Sequence, residues 1–138
     1  MCGISGFADF KKLTTKEQLE KMNRSMQLRG HDGEGYAFYQ AAAATVGLGH
    51  RRLSIIDLSN AGSQPQHYRQ FHITFNGEIY NYQQIKDELI AKGHQFVSHS
   101  DTEVILHAYA EWQETCLQKF IGMFAFVIYD DAKQEIFA

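Results

Sequence analysis

An unbroken apolar run, Phe124-Ala125-Phe126-Val127-Ile128-Tyr129, constrains this chain more than any other stretch. A run of this kind reads as a strand covered on both faces, because an exposed face would show polar residues at every second position. Asp130-Asp131-Ala132-Lys133 then makes a turn, and Glu135-Ile136-Phe137-Ala138 starts a return strand. Phe71, Ile73 and Phe75 alternate with other residues, which marks a half-buried strand. Shorter strands are expected at residues 2–8, 36–39 and 46–48, the last two joined across the alanine run at 41–44.

Helices are announced by their caps. Thr15-Lys16-Glu17-Gln18 and Ser100-Asp101-Thr102-Glu103 are capping boxes. After the first, Leu19, Met22 and Met26 share a helical face and Gly30 can end it. After the second come Val104, Ile105, Ala108, Tyr109 and Trp112. Between them Asn81 can cap a third helix, with Ile85, Leu89 and Ile90 inward and Gly93 beyond its end. Residues 53–66, with Asp57, Asn60, Gly62 and the single proline Pro65, read as a loop. Strands and helices mixed in this way give an α+β chain, and 138 residues suit one domain. The chain runs out inside the last hairpin, so it is expected to be part of a longer protein.

Composition removes several function classes. The net charge is −3 and no Lys/Arg block is present, which gives no footprint for nucleic acid or an anionic membrane surface. Cys2 and Cys116 form neither a disulfide framework nor a metal-ligand spacing, and the seven histidines are scattered. A reducing cytoplasm is the expected location. Asp9, Lys11 and Lys12 interrupt any signal-peptide core, and no apolar stretch reaches the length of a membrane span.

A few residues carry chemistry. Cys2 follows Met1, and initiator methionine is normally removed before a small side chain. Cys2 would then own both a thiol and a free α-amine, with unperturbed pKa values of about 8.5 and about 7.7–8.0. The amine can serve as general base for its own thiol. A buried structural cysteine is the plainer reading of that position taken alone. Asn76-Gly77 after the alternating strand is a hairpin signal. It also offers a side-chain amide and a backbone N–H to a developing oxyanion, and a tight turn would aim both outward. Arg51-Arg52 ends a strand and is either a solvated basic pair or a guanidinium for a carboxylate. Asp101 suits the first turn of a helix, where the dipole favours it, or binds a cationic amine. His50 is a lesser candidate for the base. A thiol, two oxyanion donors, an arginine and a carboxylate together are what free glutamine requires.

Six blocks spread along the chain carry a family resemblance. They are Met1-Cys2-Gly3-Ile4-Ser5-Gly6-Phe7, Arg29-Gly30-His31-Asp32-Gly33-Glu34-Gly35, Gly49-His50-Arg51-Arg52-Leu53-Ser54-Ile55-Ile56-Asp57, Phe75-Asn76-Gly77-Glu78-Ile79-Tyr80-Asn81, Ser100-Asp101-Thr102-Glu103-Val104-Ile105 and Gly122-Met123-Phe124-Ala125-Phe126. The chain resembles the glutamine amidotransferase domain with an N-terminal catalytic cysteine, as found at the front of glutamine-dependent asparagine synthetases. The resemblance implies a four-layer αββα sandwich of two antiparallel sheets between helices, the N-terminal-nucleophile hydrolase fold. It implies that residues 1–138 are a glutaminase domain incomplete at its C-terminus, with the ATP-dependent synthetase domain absent.

By the same resemblance Cys2 is the nucleophile, and Asn76 with Gly77 is the oxyanion hole. Arg52 binds the glutamine α-carboxylate, Glu78 and Asp101 lie near its α-amine, and backbone groups of Leu53, Ser54, Ile55 and Ile56 line the pocket. The implied partners are L-glutamine and a C-terminal synthetase domain, with a homodimer as a further expectation. No metal or cofactor is implied for the glutaminase step; ATP and magnesium belong to the synthetase half. The implied activity is hydrolysis of glutamine to glutamate and ammonia through a γ-glutamyl thioester, the ammonia going to aspartate. An amidotransferase serving another acceptor and a catalytically silent binding module are the alternatives. The chain departs from the family pattern at His31, where proline is usual, and at Leu28, where histidine is common.

Overall fold

A computed structural model describes residues 2–53 and 62–138. Among the described residues, seven strands form two antiparallel sheets. The first holds β1 (Gly3–Asp9), β2 (Gly33–Gln40) and β3 (Thr45–Arg52) in the order β1-β3-β2. The second holds β4 (Gln66–Tyr68), β5 (Phe71–Ile79), β6 (Gly122–Asp130) and β7 (Glu135–Phe137) in chain order. Helix α1 (Lys16–Ser25) packs on the first sheet, whereas α3 (Asp101–Trp112) covers β4 and β5 of the second, with α2 (Tyr82–Ala91) against α3. The sheets meet through β3 and β5, so the layers run helix, sheet, sheet, helix.

Strand periodicity explains the layering. Phe71, Ile73 and Phe75 face the helices and join Ile85, Leu89, Val104, Ile105 and Ala108 in the main core. Thr74, on the opposite face of β5, reaches the other sheet and donates to Gly49 O at 3.1 Å. Val46, Leu48 and Tyr129, with Tyr39 and Val127, fill the space between the sheets. The double covering expected of the apolar run holds for its second half, where Phe126, Ile128 and Tyr129 are buried; Ala125 is exposed.

Thr15 closes its capping box with Gln18 in both directions. On α1, however, Leu19 and Asn23 are the buried residues and Met22 is exposed. Asn23 is held there because its amide donates to His50 O at 3.1 Å and Gly35 O at 3.4 Å, tying α1 to the sheet. Helix α1 ends before Gly30, which instead follows a short 3₁₀ turn at Gln27–Arg29. Ser100 caps α3 through Glu103 N, but the Glu103 carboxylate turns to Val97 and Ser98 rather than back to Ser100. Asn81 occupies the cap position of α2 without a side-chain capping bond. Its amide is used on the neighbouring loop, donating to Lys119 O at 2.8 Å and accepting from Ile121 N at 2.9 Å. Ile90 points outward, because only Ile85, Lys86 and Leu89 of α2 lie on the packed face.

Candidate active site

The antiparallel register places the thiol. Gly3 pairs with Arg51, so the residue before it falls against the end of β3. Leu53 N donates to Cys2 Sγ at 3.4 Å, and Sγ lies 3.6 Å from Leu53 O. Arg29 Nε donates to Cys2 O at 3.2 Å, which holds the chain end in place. Cys116, by contrast, is fully buried and its thiol is pushed up to about 12 by burial, so it is no rival nucleophile.

The expectation of a tight turn at Asn76-Gly77 is overturned. Both residues lie inside β5 and pair with Ala125 and Phe124 of β6. Glycine is needed for a different reason. Gly77 has φ +148°, and a Cβ there would come within 2.3 Å of Met123 O and 2.5 Å of Phe124 Cα. The close approach of β6, rather than a chain reversal, selects glycine at this position.

The strand geometry also opens a donor. In an antiparallel pair every second residue turns its N–H and C=O away from the partner. Phe75 and Ile79 do so: Phe75 N donates to Gln64 Oε1 at 2.6 Å and Ile79 N to Asp101 Oδ2 at 3.1 Å. Gly77 has the same parity, so its N–H points to the same edge. Gly77 is exposed and lines a cleft. The three donors share one edge; the outer two are engaged, and the middle one faces a cleft.

That cleft is about 280 Å³. Cys2, Arg52 and Leu53 line one side of it, and Asn76, Gly77, Glu78 and Asp101 another. Ser54, Ile55, Ile56 and Met1 lie outside the described residues. Arg51 and Arg52 are separated by strand alternation. Arg51 is buried and paired with Glu34 at 2.6 Å, while Arg52 lines the cleft. Burial raises the Asp101 pKa above its ordinary value; bonds from the Ile79 and Thr102 N–H groups oppose this, and the Glu78 charge adds to it. Burial, followed by the Arg52 charge, lowers His50 to about 4 against a bond to the Phe75 backbone. A neutral imidazole so weakly basic is a poor acceptor for a thiol proton.

Gln64, Tyr80, Tyr82, His99 and Thr102 also line the cleft and were not anticipated as site residues. Thr102 and Tyr80 sit within sequence blocks already singled out. Gln64 carried no signal beyond its neighbour Pro65. Among the described residues no cluster of His, Cys, Asp and Glu could hold a metal ion, and no helix is long and apolar enough to cross a membrane.

Two facing antiparallel sheets between helices, with Cys2 just ahead of the first strand, form the N-terminal-nucleophile hydrolase fold. Within it, the model of the glutamine amidotransferase domain family matches residues 1–138, and this chain belongs to that family. Asparagine synthetase [glutamine-hydrolyzing] 3 of Bacillus subtilis (strain 168) is 39% identical over 149 residues, covering 100% of this chain and 23% of that protein. The amidase chry2 of Gibberella zeae is 37% identical over 151 residues, covering 100% of this chain and 22% of that protein. The chain thus spans about a quarter of the length of the curated relatives it matches. Among solved structures, the glutamine phosphoribosylpyrophosphate amidotransferase of B. subtilis, complexed with ADP and GMP, superposes with a TM-score of 0.69 at 21% identity. It covers 94% of this chain and 35% of that one, and shows the shared fold.

Proposed function

We propose that this domain hydrolyses L-glutamine to glutamate and ammonia through a γ-glutamyl thioester on Cys2. The observation that carries the reading is the single cleft that brings Cys2 and Arg52 together with Asn76, Gly77 and Asp101, with Gly77 on the β5 edge whose neighbouring N–H groups, Phe75 and Ile79, point away from β6. With Met1 removed, the Cys2 α-amine takes the thiol proton as Sγ attacks the side-chain carbonyl carbon of glutamine. The carbonyl oxygen becomes an oxyanion held by the Gly77 N–H and the Asn76 amide. Collapse of the adduct breaks the carbon–nitrogen bond. The amine returns its proton to the leaving nitrogen, which departs as ammonia. Water then attacks the thioester carbonyl with the same amine as base, releasing glutamate and the thiol.

Arg52 holds the α-carboxylate through paired hydrogen bonds. Asp101 and Glu78 hold the α-ammonium, while backbone groups from Leu53, Ser54, Ile55 and Ile56 line the pocket. These groups act on atoms that do not react, so they serve affinity more than turnover.

The domain is a module of a longer protein, as its quarter share of the relatives suggests. There the ammonia passes to an acceptor activated with ATP and magnesium, which belong to the synthetase part. Aspartate is the acceptor favoured by the asparagine synthetase relatives. A different acceptor is favoured by one observation, the 37% identity to an amidase. Asparagine formation from aspartate, ATP and glutamine by the protein at natural length decides between them. The glutaminase step is tested by glutamate release with and without Cys2→Ala. Loss of release in the variant is expected; retained release would sink the mechanism and leave Cys2 a structural residue.

A further inference from the structure

The β4–β5 ladder stops at Ile73, short of Asn76 and Gly77 farther along β5. Its pairs are Tyr68 with Phe71, His67 with His72 and Gln66 with Ile73. Continued in the same register, the ladder would bring residue 64 opposite Phe75 and residue 62 opposite Gly77. The chain does not continue it. Gly62 lies instead against the Arg52 guanidinium, where a Cβ would come within 2.7 Å of Nη2. At Gln64 the side chain replaces the missing backbone partner: Oε1 accepts from Phe75 N at 2.6 Å. Because that donor fixes which end of the carboxamide is oxygen, Nε2 faces the other way, and it donates to Thr102 Oγ1 at 3.3 Å. Thr102 follows Asp101 in the first turn of α3. Gln64 is buried, so water competes little for either bond.

We propose that Gln64 is a positioning residue, whose carboxamide, together with the direct Ile79 N to Asp101 bond of 3.1 Å, sets the distance between the oxyanion donors on β5 and the amine-holding carboxylate on α3. The inference rests on the glutaminase reading of the cleft. Gly77 lies two residues beyond Phe75, and Asp101 one residue before Thr102, so one rigid planar group links both ends of the bound glutamine. The same bond takes the Phe75 N–H out of competition, which leaves the Gly77 N–H as the donor that opens on the substrate. A misplacement of reacting groups by an ångström costs on the order of a hundredfold in rate.

The test compares Gln64→Met, Thr102→Val and Thr102→Ser in the protein at natural length, by kcat and KM for glutamine hydrolysis, thermal unfolding, and the rate at which iodoacetamide labels Cys2. Methionine keeps length and removes both bonds; it should lower kcat about tenfold to a hundredfold while Cys2 labels at the wild-type rate. Valine keeps the Phe75 bond and removes the helix link, so KM should rise with kcat little altered. Serine keeps the hydroxyl and should recover most of that loss. A folded Gln64→Met protein with wild-type kcat and KM would overturn the proposal. So would equal kinetics of the valine and serine variants, a comparison that stands even if Gln64→Met does not fold. Wild-type protein that released no glutamate would instead remove the glutaminase reading, and this inference with it.

Discussion

Replacing Gly77 with alanine tests the geometry of the oxyanion strand, and a second glycine supplies the control. Gly77 and Gly93 both have positive φ, +148° and +95°. A side chain at either therefore brings backbone strain of about 1–3 kcal/mol. They differ in surroundings. A Cβ on Gly93 meets nothing within 4 Å, whereas one on Gly77 meets Met123 O at 2.3 Å and Phe124 Cα at 2.5 Å. Both obstacles are backbone of the paired strand and cannot rotate away, so overpacking adds about 1–3 kcal/mol. Gly77→Ala should cost about 2–6 kcal/mol in all, and Gly93→Ala only the strain. Hydrogen exchange on peptides covering β5 and β6 reads the difference. At a tenfold change per about 1.4 kcal/mol, protection there should fall roughly thirtyfold or more in Gly77→Ala. Glutamine turnover should fall with it, because the displaced strand carries Asn76 and Gly77, the two donors proposed for the oxyanion. Equal loss of protection in the two variants would refute the claim that β6 backbone selects glycine at position 77.

Asn76→Ala should act mainly on turnover, by about 2.7–4 kcal/mol of transition-state stabilisation, while Arg52→Ala and Asp101→Ala raise KM for glutamine. Steady-state kinetics separate the two patterns. Arg51→Ala should instead destabilise the fold by about 1–3 kcal/mol without raising KM, since Arg51 is buried on a Glu34 carboxylate that is 44% exposed and partly screened. Because burial raises the Asp101 pKa, KM should climb as pH falls toward and through that raised value, at a higher pH than an ordinary carboxylate with pKa 3.8 would allow. His50 and His107 are lowered from 6.5 to about 4, chiefly by burial. The unfolded chain therefore binds their protons first. The stability they contribute is complete above about pH 6.5 and is lost as pH falls toward 4, which a series of thermal midpoints would show.

Much of the architecture was legible because it rests on local rules. Thr15-x-x-Gln18 and Ser100 announce helix starts, and the Phe71-Ile73-Phe75 alternation marks the face that meets α2 and α3. What the sequence concealed depends on long-range pairing. Asn76-Gly77 looks like a turn because nothing local reveals that β6 will run alongside it, 49 residues on, at the Asn76–Ala125 pair. Asn81 takes the expected cap position of α2 without a side-chain capping bond, and Ile90 turns outward, for the same reason: the loop at Lys119 and Ile121 claims the amide, and α2 buries only a narrow face. The candidates Cys2, Asn76-Gly77, Arg51-Arg52 and Asp101 were legible from residue type and position, the resemblance chose Arg52 over Arg51, and the cleft brings Cys2, Arg52, Asn76, Gly77 and Asp101 together. Gln64 escaped notice because its role comes from a ladder that stops early, which only the register exposes.

The most direct test of the account is glutamate release by the protein at natural length with the Cys2 α-amine blocked. Retaining Met1, or placing a residue that cannot be processed before Cys2, converts the amine to an amide and leaves the thiol in place. Intact mass confirms the block, circular dichroism the fold, and equilibrium binding the glutamine pocket. An amine with an unperturbed pKa of about 7.7–8.0 can take the thiol proton near neutral pH, whereas an amide nitrogen cannot. His50, buried and lowered to about 4, is a poor base for that proton. The account predicts that glutamate release is lost while glutamine still binds; full release from a chain with a confirmed blocked N-terminus would contradict it.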